Sequence, residues 1–184
     1  MMLLMPMVVH IQHQPLKIRY EFEDREHFHV PDFKLTLRGG LYAIVEVKPD
    51  SLVKEHQVKF DRCSAQLAQS GIDYYVCTDR TLPSTLVERA EWLRDSARRA
   101  VPAETLRELL CVVAAQDDVK VGDVLDQGFD HQMIGHAIGR RLLTVGPSLD
   151  ISPPNRLIVM EKSDGFVCCS DWLGSAPWRA NVAV

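Results

Sequence analysis

The fold of this chain is best approached from one stretch, Val30-Pro-Asp-Phe-Lys-Leu-Thr-Leu-Arg-Gly-Gly-Leu-Tyr-Ala-Ile-Val-Glu-Val-Lys48. It is typical of two antiparallel strands joined by a three-residue loop, Arg38-Gly39-Gly40. That loop sets the register, in which the opposed pairs are Leu37 and Leu41, Leu35 and Ala43, Phe33 and Val45, and, further out, Asp32 and Glu46. The sequence therefore predicts a hairpin with two carboxylates facing each other at its open end.

Side chains alternate across a strand, so this hairpin has two chemically different faces. The apolar face comprises Phe33, Leu35, Leu37, Leu41, Ala43, Val45 and Val47. The other face carries Asp32, Glu46 and Lys48 at one end. Two carboxylates and an amine are thus brought together on a rigid scaffold, and this cluster is the main candidate for a reactive site.

The cluster has the chemistry of a Mg²⁺-dependent hydrolase. Magnesium takes one or two protein carboxylates together with water and phosphate, which Asp32 and Glu46 are placed to supply, with the carbonyl of Val47 as a further oxygen. The ammonium of Lys48 would orient or deprotonate a water and stabilise developing negative charge. Metal, water and lysine together suit hydrolysis of a phosphodiester. The alternative is a surface salt bridge between Lys48 and either acid, which would be common and weakly stabilising.

The neighbouring segments complete a β-β-β-α-β-α order over the first hundred residues. A short edge strand is possible near Val8, and strands are predicted at 16–21, 27–37 and 41–48, which form an antiparallel meander. A helix over 52–70 follows, then a buried strand over 72–78, which can lie parallel to the 41–48 strand because a helix separates them. Pro83-Ser84 opens a second helix, to about residue 100.

The remaining residues, 101–184, form a second predicted domain. Helices over 103–115, 121–126 and 131–143 precede two short extended pieces within 144–162, which is a winged-helix pattern. The third helix occupies the recognition position, where Arg140 and Arg141 would contact DNA. Three-helix units also serve as protein-docking modules. The tail over 164–184, with Trp172 and Trp178, is predicted to pack on a domain or on a partner.

Composition limits the functional classes. The net charge of −4 comes from residues 101–184, because residues 1–100 hold 14 basic and 14 acidic side chains. A free-standing nucleic-acid binder usually has a basic surface, so DNA contact would need help from a partner. Five cysteines without a Cys-x-x-Cys pair indicate a reducing, cytoplasmic location. We expect neither a signal peptide nor a membrane span.

Several motifs together point to a known family. Pro31-Asp32 followed by Glu46-Val47-Lys48 resembles the PD-(D/E)xK nuclease motif, and the strand and helix order matches the core of that superfamily. A wider set of motifs comprises Gln14-Pro15, Tyr20, Val30 to Phe33, Gly39-Gly40, Val45 to Pro49, Lys59-Phe60 and Thr78 to Arg80. Together these motifs are similar to the TnsA endonuclease family, whose members are subunits of heteromeric bacterial transposases.

The resemblance covers about residues 8–95 and implies a restriction-endonuclease-like nuclease core followed by a winged-helix domain. It implies Mg²⁺-dependent cutting at a transposon end, with Mn²⁺ able to substitute, and contacts with DNA, a transposase subunit and an ATPase regulator. By resemblance Asp32 and Glu46 occupy metal-site positions and Lys48 is the catalytic lysine.

The sequence departs from the family at one point. The family usually carries a further acid on a helix before the first strand, but no Asp or Glu precedes Glu21 here. Glu21, Glu23 and Glu26 are candidate substitutes, although each fits a solvated face. Two interpretations remain open: a minimal site of Asp32, Glu46 and Lys48, or a silent domain kept for assembly. A stand-alone phage or defence nuclease with the same core is a third.

Other polar residues are secondary candidates. His27 and His29 share one strand face before Pro31, near the cluster, so either is a candidate for substrate or metal binding. Lys54 and Gln57 share a helix face at i, i+3 and are placed to contact phosphate. Asp79 and Arg80 follow a strand end, where ligand sites of α/β sheets tend to lie. His10 and His13 are further possible metal ligands. Exposed positions without a ligand are the alternative for these residues, and for Asp79 the alternative is a cap of the next helix or turn.

Overall fold

The computed structural model describes residues 1–163 and 168–180. Within them the chain divides into two compact units that are each discontinuous in sequence. We call residues 8–83 and 169–180 the sheet unit, and residues 1–7, 84–163 and 168 the helical unit. The parts of the predicted tail at 164–167 and 181–184 lie outside the described residues.

The sheet unit is built on a mixed four-stranded sheet, which confirms an α/β fold. The strands of this unit are β1 (Val8–His13), β2 (Ile18–Phe22), β3 (Arg25–His29), β4 (Phe33–Leu37), β5 (Tyr42–Val47) and β6 (Asp73–Cys77). The sheet order is β1-β4-β5-β6. Strands β4 and β5 are antiparallel, and β6 is parallel to β5, as the sequence predicts.

The β4–β5 hairpin has the predicted register. Phe33 lies opposite Val45 and Leu35 opposite Ala43, and the amide of Leu37 donates to the carbonyl of Leu41 at 2.8 Å. The loop residues Gly39 and Gly40 both have positive φ, 80° and 79°. Only glycine adopts such angles without a steric penalty, which explains why the Gly-Gly pair sets the register of the whole hairpin.

The predicted strand over 27–37 is wrong in one respect, because it is two strands. Pro31 has no amide hydrogen to donate to a ladder, and the chain changes partner there. Strand β3 pairs with β2 in a separate two-stranded sheet, while β4 enters the main sheet. The predicted meander pairs residues 16–21 with β4. In the structure, β1 is the strand that pairs with β4.

Two helices and the C-terminal segment complete the sheet unit. The predicted helix over 52–70 is interrupted, as α1 (Asp50–Val53) and α2 (Gln57–Ala68), because His56 leaves helical geometry with ψ near 6°. Helix α2 covers the sheet through one apolar cluster, comprising Ile18, Ile44, Phe60, Cys63, Leu67, Tyr74 and Val76. This cluster buries one face of β5, and the opposite face is also closed to solvent at Ala43 and Val45.

The described C-terminal tail packs on the sheet unit, whereas the predicted boundaries placed it in the second domain. Its short helix is α7 (Cys169–Leu173). Further on, the indole nitrogen of Trp178 donates to Asp61 at 2.8 Å, its carbonyl accepts from the hydroxyl of Ser64 at 2.5 Å, and its amide donates to the carbonyl of Tyr74 at 2.6 Å. Its ring lies edge-on to Phe60, with centroids 5.4 Å apart. Trp178 is therefore tied to both α2 and β6.

The helical unit contains α3 (Ser84–Ser96), α4 (Ala103–Ala114), α5 (Val121–Asp126), α6 (His131–Gly139) and a two-residue hairpin, β7 (Leu143–Thr144) with β8 (Ile158–Val159). The sequence divides the chain at residue 100, whereas in the structure α3 belongs with the later helices. The physical reason is close helix packing: a Cβ at Gly135 would meet the ring of Trp92, and one at Gly139 would meet the carbonyl of Leu93.

Helix α6 is the buried element of this unit, which argues against its predicted recognition role. The six residues from Met133 to Ile138 are all buried, and the imidazole of His136 is 3.2 Å from the carbonyl of Ser96. With these six residues buried, most of the helix surface is not available to a DNA groove. Arg140 follows the helix and is exposed, whereas Arg141 is half-buried and donates to the carbonyl of Met5.

No helix among residues 1–163 and 168–180 is both long and apolar enough to cross a membrane.

Candidate active site

The centre of the candidate site is the side chain of Glu46, near the end of β5. It is only 1% exposed, because it shares a strand face with Ile44 and that face lies under the apolar cluster of α2. A carboxylate at such a position needs compensating charge or hydrogen bonds. Its surroundings supply both.

Three basic side chains surround the carboxylate of Glu46. Atom Nε2 of His29 lies 3.0 Å from Oε2, while the Nζ atoms of Lys48 and Lys59 lie 3.5 Å and 3.6 Å from Oε1. These side chains are 11%, 29% and 20% exposed, respectively. Both oxygens are therefore engaged, and the cluster is shielded from bulk solvent.

These neighbours decide the protonation state of Glu46. Burial by itself would raise the pKa of this carboxyl, and it is the largest influence. The hydrogen bond to His29, together with the charges of His29, Lys59 and Lys48, outweighs burial and holds the pKa below its ordinary value. Glu46 is accordingly a carboxylate at neutral pH, despite its burial.

Asp32 lies immediately before β4. Its Oδ2 atom accepts a hydrogen bond from the amide of Val47 at 2.8 Å. The register Phe33 to Val45 continues outward to Asp32 and Glu46, as the sequence predicts. The half-buried Asp32 keeps part of its surface open to solvent, so the cluster has an accessible side and an enclosed side.

Lys48 extends from the strand end towards the same carboxylate. Its amide donates to the carbonyl of Cys77 on the parallel strand β6, at 2.9 Å. The backbone of Lys48 is thereby fixed by the sheet, while its partly exposed ammonium can change partner. The structure thus brings Asp32, Glu46, Val47 and Lys48 to one end of the hairpin.

Of the secondary candidates, the structure brings His29 into this group. Its ring contacts Glu46, whereas His27 stacks on Tyr20, with centroids 5.5 Å apart. The three candidate substitutes for the upstream acid, Glu21, Glu23 and Glu26, are all exposed, and Glu26 pairs with Arg19. None of these three glutamates is buried beside Glu46, whose Oε2 atom is contacted by the imidazole of His29.

Helix α2 contributes Lys59, a residue that the sequence interpretation left out of the site. Lys54 is exposed in the turn between α1 and α2, and Gln57 is half-buried at the start of α2. The signal for Lys59 is its position directly before Phe60. Because Phe60 is fully buried, the residue before it on the helix lies at the border of the core.

The other candidates lie apart from this group. Asp79 accepts from the amide of Asp50 at 2.7 Å, so it caps α1, and Arg80 pairs with Asp50. His10 and His13 are exposed on β1. Arg140 and Arg141 belong to the helical unit. Nowhere in the described parts of the chain do three or more His, Cys, Asp or Glu side chains gather as metal ligands.

The donors at the hairpin end nevertheless fit a hard divalent cation in kind. Asp32 and Glu46 offer carboxylate oxygens from adjacent strands, and Mg²⁺ commonly takes one or two such ligands and completes its shell with water. In the described arrangement a backbone amide and two ammonium groups face these oxygens. A bound cation would therefore replace one or more of these groups as the partner of the carboxylate oxygens. The groups it replaces already stabilise negative charge at this point.

Comparison with known proteins bears on the sheet unit. The family model described as TnsA-like endonuclease N terminal matches residues 5–79. The matched segment is less than half of the chain, and it includes the whole β4–β5 hairpin and helix α2. No curated protein matches the chain. The family resemblance seen in the sequence is thus confirmed over residues 5–79, which are similar to the N-terminal domain of TnsA-like endonucleases.

Proposed function

We propose that this protein is a metal-dependent DNA endonuclease subunit of a heteromeric transposase, which cuts phosphodiester bonds at transposon ends. The observation that carries the proposal is the ionised, buried Glu46 beside Lys48 and across the hairpin from Asp32, inside a TnsA-like domain. Phosphodiester hydrolysis needs a positioned water, stabilisation of developing negative charge, and a cation held by carboxylates.

The side chains would divide these roles. Asp32 and Glu46, with the carbonyl of Val47, would hold Mg²⁺ or Mn²⁺, which supplies Lewis-acid chemistry at the phosphate when bound. Lys48 would turn its ammonium from Glu46 to the attacking water or to a phosphate oxygen, and there orient the water and stabilise negative charge. The carboxylate of Asp32, which accepts from the amide of Val47, keeps the end of β5 in register for both.

The charge of the chain supports a partner that carries much of the DNA binding. With a net charge of −4, the protein lacks the surplus of basic residues on which phosphate binding mainly depends. We therefore expect a transposase subunit and an ATPase regulator to present the DNA. Lys54 and Gln57 remain candidates for phosphate contact in the sheet unit.

The helical unit would contribute a second contact surface. Its order of three helices and a hairpin, α4 to β8, agrees with a winged-helix arrangement. Because α6 is enclosed, its DNA contact would come from the exposed Arg140 and from Arg141 after the helix, and not from the helix face. We keep the winged-helix assignment as part of this proposal.

The test is cleavage of supercoiled DNA that carries the transposon end, in Mg²⁺ and in Mn²⁺, with and without the cognate transposase. We expect Asp32→Ala and Lys48→Ala each to slow cleavage by about 100-fold or more, the usual range for loss of a proton-transfer or charge-stabilising group. The matched control is Lys17→Ala, which removes an exposed lysine of the same unit that lies over the ring of Phe28. Cleavage that is indifferent to both site substitutions would contradict the proposal.

The second candidate function is a non-catalytic assembly module. It is favoured by one observation: both oxygens of Glu46 already have basic partners within the protein. A calorimetric titration with Mn²⁺ separates the two, because binding that disappears in Asp32→Ala supports the endonuclease. Activity without any transposase would instead favour a stand-alone phage or defence nuclease.

A further inference from the structure

The carboxylate of Glu46 has two basic partners besides Lys48, and one of them, Lys59, is a second ammonium group. Lys48 and Lys59 reach the same oxygen, Oε1, at nearly equal distances of 3.5 Å and 3.6 Å, while His29 holds Oε2. One lysine comes from the strand end and the other from helix α2. Neither the family match nor the roles proposed above assign a task to Lys59.

The two lysines differ in how enclosed they are. The side chain of Lys48 is 29% exposed at a strand end, whereas that of Lys59 is 20% exposed. The next residue on the helix, Phe60, is fully buried and anchors that turn in the apolar cluster. The ammonium of Lys59 also lies 4.8 Å from the centre of the Phe60 ring, a favourable cation–π distance. Lys59 is thus the more enclosed of the two ammonium partners of Glu46, and Lys48 is the more exposed one.

Movement of Lys48 has a consequence for Glu46. If Lys48 turns towards water or phosphate, as the proposed function requires, a 1% exposed carboxylate loses an opposite charge. A buried carboxylate becomes less stable when it loses one of its cationic partners, even though His29 remains at Oε2. With Lys59 in place, the carboxylate keeps a cation on the same oxygen, so the release of Lys48 is much less costly.

We propose that Lys59 is a positioning residue that holds Glu46 in place while Lys48 leaves it to act at the DNA. The inference rests on the proposed function. Lys59 does not contact DNA in this role; it acts through Glu46 and Lys48. The chemistry it serves is therefore the cleavage step, and not substrate affinity.

The variants Lys59→Gln, Lys59→Arg and Arg62→Gln test the inference in single-turnover cleavage at a series of DNA concentrations. Arg62 is the matched control, since it is an exposed basic residue on the same helix. We expect Lys59→Gln to lower the rate constant at saturating DNA by about tenfold or more, with the half-saturating DNA concentration unchanged within about threefold. Lys59→Arg should recover most of the rate, and Arg62→Gln should stay within about twofold of the parent.

A second measurement does not depend on activity. The accessibility of the Lys48 amine is followed by acylation of the folded protein and mass spectrometry. In Lys59→Gln, Glu46 has only Lys48 as an ammonium partner, so Lys48 should be held more tightly and acylated more slowly, by about threefold or more. Arg62→Gln should leave its rate unchanged.

Each other outcome overturns the inference in a recognisable way. Full activity of Lys59→Gln removes the positioning role, and a loss of DNA affinity with an unchanged rate constant makes Lys59 a phosphate contact. A fall in melting temperature without recovery by Lys59→Arg makes it a scaffold residue. If the parent protein does not cut DNA, the proposed function fails, whereas an unchanged Lys48 acylation rate in Lys59→Gln defeats the inference alone.

Discussion

Replacing Trp178 with alanine should open the sheet unit about 30- to 150-fold more often than in the parent protein, since each 1.4 kcal/mol is a factor of ten. The reason is the position of this side chain, whose indole donates to Asp61 and whose ring meets Phe60 edge-on. The two backbone hydrogen bonds of residue 178, to Ser64 and Tyr74, are not removed by the substitution.

The magnitude follows from the two interactions that are lost. A hydrogen bond to a carboxylate contributes about 1.5–3 kcal/mol, and an aromatic pair about 0.5–1.5 kcal/mol. Trp178 and Asp61 are only half-buried, so the lower part of both ranges applies. The expected loss in the free energy of opening is therefore about 2–3 kcal/mol.

Two buried thiols of the same unit provide the assay. Cys63 and Cys77 are fully buried, and burial raises the pKa of each thiol to about 12, so a thiol reagent at pH 8 reaches them only when the unit opens. Peptide mass spectrometry separates their labelling from that of the exposed Cys111 and Cys168. The labelling rate of Cys63 and Cys77 then reports the open population directly.

The matched control is Arg179→Ala, next along the tail. It removes an exposed ion pair with Asp73 that contributes less than about 1 kcal/mol, and its labelling rates should stay close to those of the parent. If Trp178→Ala changes the labelling of both thiols by less than about threefold, the tail is not part of the core and the reasoning from its contacts is refuted.

Three further outcomes are expected. The pKa of Glu46 in the folded protein lies below its ordinary value of 4.5, so near this pH the folded state binds fewer protons than the unfolded chain. The stability that ionised Glu46 contributes is therefore complete above pH 4.5 and is lost as the pH falls through the lowered pKa. Urea midpoints at a series of pH values should show this loss, and Glu46→Gln should abolish its share of the pH dependence. Gly139→Ala should destabilise the helical unit by about 3 kcal/mol or more, because its Cβ would meet the carbonyl of Leu93. Circular dichroism during urea unfolding measures this loss of stability. A loss below about 1 kcal/mol would contradict the packing of α3 on α6. Gly40→Ala has open space around its Cβ but a φ of 79°, so it should cost only about 1–2 kcal/mol of strain, measurable in the same way.

Local rules predict the parts of this protein in which neighbouring residues decide the structure. The Gly-Gly loop fixed the register, and the register placed Asp32, Glu46 and Lys48 at one end of the hairpin. The parallel position of β6 follows from the intervening helix. In each case the information lies within a few residues, or in a topological rule that does not depend on distant side chains.

The remaining features depend on interactions that a linear pattern does not contain. Lys59 was outside the predicted site because its contact with Glu46 depends on how α2 packs on β5, which its position before Phe60 does not specify. The burial of α6 arises from contacts of Gly135 and Gly139 with a helix forty residues earlier. The contact of His29 with Glu46 needs the separate β2–β3 hairpin, which appears only when Pro31 splits the predicted strand.

The tie between Trp178 and helix α2 also sets an order of events during synthesis. The ribosome makes β1 to β6 first, then the whole of residues 84–168, and only afterwards the segment that ends at Trp178. At about 5–20 residues per second, the side of Phe60 and Tyr74 that Trp178 covers waits about 5–20 s for its last partner. During that interval the apolar surface that Trp178 later covers stays uncovered in the sheet unit. A newly made chain therefore reaches its final stability well after the residues of its candidate active site have left the ribosome.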